Sequence, residues 1–246
     1  MKLIILSIIV ILQFTLKVSA DQVDVQKIWK TIIGKQAHEG SILSGLDLSN
    51  SNLSRANLSE SELVNTNLSN SNLKYLNCKL CNLRGANLEN SDMVKINLYK
   101  ATLEGANLQG ADLSKGFMKE VNFKLANLEK ANLTRSKLKS ALFNGANLTK
   151  ANFTKANLIL VSFEGANLTK ANFTQADLSR KFTRVNLRGA NLSGALFKEA
   201  NLKGANLTNA ILTDADFTGA ILKNTILDNV IYCRTKMPWG VENAGC

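Results

Sequence analysis

The chain is poor in the residues that most chemistry needs. One histidine, His38, stands in 246 residues, so no second imidazole exists to share a metal or to divide acid and base work, and His38 reads as an exposed or structural ring. Ser and Asp are plentiful, but they recur as parts of a pattern with no histidine beside them. No Gly-rich loop follows a strand and opens a helix in the way a phosphate cradle does. Residues cannot be assigned to catalytic roles, so no enzyme, cofactor or metal is expected. Aromatic residues make up 6% of the chain, and on the outside they reduce to Tyr75 and Tyr99, which leaves no stacking platform for specific nucleic-acid binding. The only proline lies in the C-terminal tail.

Long apolar runs are equally scarce. The one example, Leu3 to Leu16, follows Met1 and Lys2 and precedes Val18-Ser19-Ala20, a small-residue cleavage pattern before Asp21. Charge, length and site predict a secretory signal peptide over residues 1–20, hence export to a periplasm, a lumen or the outside. The run is shorter than the roughly 20 residues of a spanning helix, and no cysteine follows it to take a lipid. Residues 21–40 predict an N-terminal capping segment: Asp24 caps a short helix with Val25, Ile28, Trp29 and Ile32 on one face.

From there a five-residue unit takes over: a small residue, Asn or Asp, Leu or Phe, then two free positions. The large apolar centres run in one frame from Leu43 to Leu178 and in a second from Phe182 to Leu227. A period of five fits neither a helix nor a single strand, because successive centres would wander round the cylinder or flip between faces. The chain must turn once per unit. The centre and the residue two before it then share the inward face of a short extended segment, with Asn or Asp pointing out between them. The two residues after the centre form a corner, and glycines such as Gly85, Gly110 and Gly145 fall on its second position, where positive φ is wanted.

The phenylalanines give the number of sides. Phe123, Phe143, Phe163 and Phe182 are 20, 20 and 19 residues apart, and Phe153 and Phe173, like Phe197 and Phe217, are 20 apart. Rings repeating at that interval stack on one wall if each coil has four units. The interval of 19 falls where the frame shifts, at Ser179 to Lys181.

The run resembles the pentapeptide-repeat family, whose pattern is A(D/N)LXX, over Leu43 to Leu227. The resemblance implies an all-β fold: a right-handed four-sided parallel β-helix over 41–229, with the helical segment as a cap on one open end and residues 230–246 as a cysteine-closed cap on the other. Some family members protect topoisomerase by mimicking DNA. That role depends on an acidic rod in the cytoplasm, and this chain is basic, at a net +11, and carries an export signal.

Cys78 and Cys81 face the interior around one corner, where a buried pair of small hydrophobes and a disulfide are both open readings. Neither zinc partners nor a thioredoxin-like βαβ context is visible for them. Cys233 and Cys246 bracket a Pro-Trp-Gly turn and could close a loop of about 14 residues, which the chain-entropy model values at roughly 3 kcal/mol.

The basic excess is not scattered. With a coil of 20, the corner positions Arg55, Lys95, Lys115, Arg135 and Lys155 fall on one edge, Tyr75 and Gln175 fill its other rungs, and Lys130, Lys150 and Lys170 form a shorter ladder on the preceding edge. A hydroxyl row, Ser114, Thr134, Thr154 and Thr174, runs beside the first. These ladders are the candidate anion-binding surface of an interaction module whose partner is a protein, an anionic polymer or a membrane surface. A merely solvated face is the competing reading. Asp214 and Asp216 read as solvated corner and wall positions.

Overall fold

A unit with two inward positions and a two-residue corner can bury its apolar side only by coiling on itself. In the unit centred on Leu83, Cys81 and Leu83 are buried while Asn82 points out. The Ala86 N–H then bonds the Leu83 carbonyl at 3.1 Å, and Gly85 between them has φ of 65°. This is the signature of a type II turn, with its left-handed second central residue. The computed structural model describes residues 39–163, 165–174, 176–177, 187–190 and 192–246. The predicted signal peptide, the predicted helical cap up to residue 38, His38, Phe182 and Gln175 lie outside the described residues. Glu39 and Gly40 already form a corner of the first coil, where the Gly40 N–H bonds the Ser59 carbonyl at 2.8 Å.

Parallel bridges join each outward position to the one twenty residues on, as in Asn67 to Asn87 to Asn107. Four such series make four walls. Wall 1 carries Glu62, Asn82 and Asn122; wall 2, Asn67, Asn87 and Asn107; wall 3, Asn72, Asp92 and Asn132; wall 4, Asn77, Asn97 and Phe117. On wall 4 Asp177 pairs with Leu196, nineteen residues on, and Leu196 with Asp216, twenty on. One residue has been lost without breaking the stack. Pairing continues beyond residue 229, since Ile211 bridges Ile231 and Asp216 bridges Lys236, so the last coil runs into the tail.

The walls are held from outside as well as within. Asn97 donates its Nδ2 to the Asn77 Oδ1 at 2.9 Å, and Asn77 to Asn57 at 2.8 Å. The Asn97 Oδ1 meanwhile accepts the Tyr99 N–H at 3.2 Å. Each asparagine therefore links two coils and ties down the corner that follows it, work that a longer or apolar side chain cannot do.

Inside, the phenylalanines stack as the spacing predicts. Ring centroids of Phe123, Phe143 and Phe163 are 5.0 Å apart in succession, those of Phe153 and Phe173 4.8 Å, and those of Phe197 and Phe217 4.5 Å. Two columns meet edge to face across the coil, Phe153 lying 6.0 Å from Phe143 and 5.8 Å from Phe163. Both arrangements suit the ring quadrupole. Where an inward position carries Ile96 in place of the usual Ala, the next coil answers with Gly116, whose added Cβ would stand 3.4 Å from Ile96 and 3.0 Å from the Leu113 carbonyl. The sulfurs of Cys78 and Cys81 are bonded, and both residues are buried in the core.

The C-terminal end closes with a hairpin of β1 (Thr235–Met237) and β2 (Gly240–Glu242), with Lys236 opposite Val241. Cys233 is bonded to Cys246, and the Tyr232 N–H bonds the Ala244 carbonyl at 3.1 Å. Arg234 clamps Asp214 with two hydrogen bonds, Nε to Oδ1 at 2.6 Å and a terminal nitrogen to Oδ2 at 2.7 Å. Asp216 is not the solvated residue that the sequence suggests. It is 7% exposed, because the last coil lies over it and its carboxylate accepts the Thr218 N–H at 3.0 Å and faces the Lys198 Nζ at 3.4 Å. Burial pushes its carboxyl pKa up, but the Thr218 hydrogen bonds and Lys198 outweigh burial and leave it below the ordinary 3.8.

The Asp214–Arg234 clamp makes the cap acid-sensitive. The hydrogen bond from Arg234 holds the Asp214 pKa below 3.8. A carboxylate depressed in the folded state stabilises it above the unfolded pKa and gives that up as pH falls through the folded value. Stability is therefore expected to fall below about pH 3.8, and in Arg234→Gln the Asp214 contribution should be absent. Urea midpoints measured from pH 6 to pH 2 check this; the difference is small because both partners are exposed.

Candidate anion-binding edge

The second corner position is left-handed at nearly every turn, and four edges offer it. On the edge between walls 1 and 2 it is filled by Gly45, Asn65, Gly85, Gly105, Gly145 and Gly165, with Leu125 as the exception. These are the residues that tolerate positive φ. On the diagonally opposite edge, between walls 3 and 4, the same position holds Arg55, Tyr75, Lys95, Lys115, Arg135 and Lys155 at φ of 62, 59, 58, 59, 57 and 58°. A left-handed conformation costs a non-glycine residue about 1–2 kcal/mol. The cations sit where the backbone disfavours them.

All five cations are exposed. None has a carboxylate within 4 Å among the described residues. Other cations do find acids: Lys74 meets Asp92 at 2.8 Å, Arg84 meets Glu104 at 2.9 Å, and Lys100 and Lys119 meet Glu120 at 3.5 and 3.1 Å. Tyr75 is part of the ladder. The Arg55 guanidinium lies 5.3 Å and the Lys95 Nζ 5.1 Å from its ring centroid, and Lys95 also bonds its hydroxyl at 3.4 Å. The edge ends in neutrality at the Asp214–Arg234 pair.

The shorter ladder, between walls 2 and 3, is weaker. Lys130 is drawn to Glu129 at 3.4 Å, while Lys150 and Lys170 have no acid beside them. The threonines of the hydroxyl row add no donors. Thr134, Thr154 and Thr174 donate to Asn132, Asn152 and Asn172 at 2.6–2.7 Å, so their protons are already committed and only acceptor lone pairs face out.

Two exterior aromatics are absent from the sequence reading, Trp239 in the C-terminal hairpin and Phe117. Phe117 points out from wall 4 and is 40% exposed. Its ring lies 5.9 Å from that of Tyr99, inclined by 26°. The signal was present, because Met118 keeps the frame and makes Phe117 the outward neighbour. Among the described residues no group of three or more His, Cys, Asp or Glu is placed to hold a metal ion, and no helix is long and apolar enough to cross a membrane.

Comparison with known proteins agrees with this architecture. A model of pentapeptide repeats matches residues 39–74, 81–119, 181–219 and 195–231, and one of a pentapeptide repeat region matches 117–192. Among solved structures, the chain is similar to HetL, a pentapeptide repeat protein involved in heterocyst differentiation regulation from the cyanobacterium Nostoc sp. strain PCC 7120. The identity is 29% and the TM-score 0.61, over 87% of this chain and 96% of that one. A trypsin-treated form of QnrB1, a plasmid-mediated fluoroquinolone resistance protein, aligns at 22% identity and a TM-score of 0.49 over 77% of this chain and 83% of that one. A pentapeptide repeat protein from the Arabidopsis thaliana thylakoid lumen aligns at 28% identity and a TM-score of 0.26, over 58% and 71%. No curated protein matches the sequence. With repeat models covering most of the chain and a four-sided coil of parallel bridges beneath them, this protein belongs to the pentapeptide-repeat family.

Proposed function

We propose that the chain is a non-enzymatic interaction module that holds an anionic partner along the edge between walls 3 and 4. One observation carries this: Arg55, Lys95, Lys115, Arg135 and Lys155 occupy left-handed corners of one edge with no carboxylate within 4 Å among the described residues, while the opposite edge fills the same corners with Gly and Asn apart from Leu125. The other two edges also carry charge at left-handed corners, but they mix it, with Lys100 and Glu120 paired on one and Lys130 drawn to Glu129 on the other. The walls are convex and regular, which suits docking along a length better than enclosing a small substrate. The reading also places the protein in an exported compartment. The leader pattern over residues 1–20 supports export, and the two disulfides, Cys78–Cys81 and Cys233–Cys246, fit oxidising surroundings.

The test is to change the five cations together to Gln and to measure binding to anionic polysaccharides and to anionic lipid vesicles at low and physiological salt. Gln removes the charge, keeps an unbranched polar side chain and bears the same corner strain, so the thermal midpoint should not move. Wild type is expected to bind with an affinity that falls as salt rises, and the variant to lose that binding. Equal binding by both proteins would remove the edge as the contact surface.

A further inference from the structure

Phe117 is one of three outward positions on its wall within the repeat, with Lys137 and Leu196, that depart from Asn or Asp, and it is the aromatic one. Below it Asn57, Asn77 and Asn97 form a hydrogen-bonded run, and the run stops there. An asparagine at this position would extend the run and accept the Lys119 N–H, as Asn97 accepts that of Tyr99. Phenylalanine does neither, and it leaves an apolar ring 40% exposed among charges. A position that gives up local stability with no compensating contact in the core is where function is expected.

The surroundings define what would cover it. Lys115 and Lys119 flank Phe117 in its own strand. Tyr99 supports the ring from the coil below, with the Lys100 and Lys119 Nζ atoms 5.4 and 5.7 Å from the Tyr99 ring centroid. The surface is a flat apolar ring between the unpaired ladder, which supplies the free cations, and a rim in which Lys100 and Lys119 share Glu120 at 3.5 and 3.1 Å. A ligand that matches both parts needs flat apolar faces and regularly spaced negative charge. Polyphosphate and the headgroups of phosphatidylglycerol and phosphatidylserine have the charge but no ring. Single-stranded nucleic acid has rings, but it wants a platform for each successive base. Tyr99–Phe117 is the one outward-facing ring pair among the described residues, and Tyr75 already has a cation near its ring on each side.

Resting on the anion-binding reading of the edge, we propose that the partner is an acidic polysaccharide, one sugar ring lying on Phe117 while carboxylates along the chain meet Lys95, Lys115 and Arg135. The rungs repeat at the coil spacing, which the stacked phenylalanines set at 4.5–5.0 Å, so a polymer with a carboxylate on each sugar offers them negative charge along its length.

The experiment compares the full chain with Phe117→Asn, a substitution that restores the repeat pattern, using polygalacturonate, linear polyphosphate and oligo(dT) in one buffer. The thermal midpoint of Phe117→Asn should equal or exceed that of wild type, its affinity for polygalacturonate should fall at least fivefold, and its affinity for polyphosphate should stay the same. Equal losses for both polymers, no loss for either, a lowered midpoint, or tighter wild-type binding to oligo(dT) than to polygalacturonate would each overturn the polysaccharide assignment. A wild-type chain that binds none of the three overturns the anion-binding reading beneath it.

Discussion

Phe143→Ala is expected to destabilise the fold by about 3–5 kcal/mol, the range for emptying a large buried aromatic site. Phe143 is fully buried, with Phe123 and Phe163 each 5.0 Å away in its own column and Phe153 edge-on at 6.0 Å from the opposite wall. Removing the ring opens a cavity that three neighbours line. Those neighbours cannot readily collapse into it, because their backbones are fixed by coil-to-coil hydrogen bonds, the Phe123 N–H to the Leu142 carbonyl and the Phe153 N–H to the Asn172 carbonyl, both at 2.7 Å. Phe143→Leu should cost much less, since Leu fills equivalent positions throughout the coil. Urea unfolding checks this: the midpoint should fall in the order wild type, Leu, Ala, with the denaturant slope unchanged. An Ala variant with a wild-type midpoint would mean that the columns add little to stability.

The second large effect concerns alignment. Deleting one unit, Ala126 to Lys130, removes one acid and one base, Glu129 and Lys130, so the net charge stays the same. Every later unit then rotates by one wall. Inward positions still receive Ala, Leu and Phe, and the coil should fold. The edge between walls 3 and 4, however, would read Arg55, Tyr75, Lys95, Lys115 and then Ser140 and Leu160, while Arg135 and Lys155 move to the neighbouring edge. At roughly 1 kcal/mol for each cation near an anionic surface, affinity for an anionic polymer should drop about thirtyfold. Circular dichroism would report the fold and titration at fixed salt the affinity. If a folded deletion variant binds as wild type does, total charge and not the ladder holds the partner.

Much of this was legible in the sequence because the repeat converts position in the chain directly into direction in space. The period placed Leu83 inward, Asn82 outward and Gly85 on a left-handed corner, and the phenylalanine spacing set the coil at twenty residues, all as found. What stayed hidden depends on neighbours in adjacent coils or on the choice of side-chain rotamer. Asp216 looked solvated because nothing in its own unit covers it. The Thr134 hydroxyl looked available because its bond to Asn132 is a matter of rotamer. The lack of counter-ions along Arg55 to Lys155 cannot be read from composition, since Lys74 and Arg84 carry the same charge and are paired. Phe117 was different: its outward direction followed from the frame, and only the habit of counting phenylalanine as core concealed it.

The constant interval of twenty between bonded residues also bears on how the chain folds. Each new coil closes a loop of the same modest length on a coil already formed, so the entropic cost of closure does not grow as the rod lengthens. Contacts stay local in the chain even though the fold is all β, a class whose distant pairings usually make folding slow. Growth from any formed coil toward both ends is the natural course, and a longer rod of this kind would add coils at an undiminished rate.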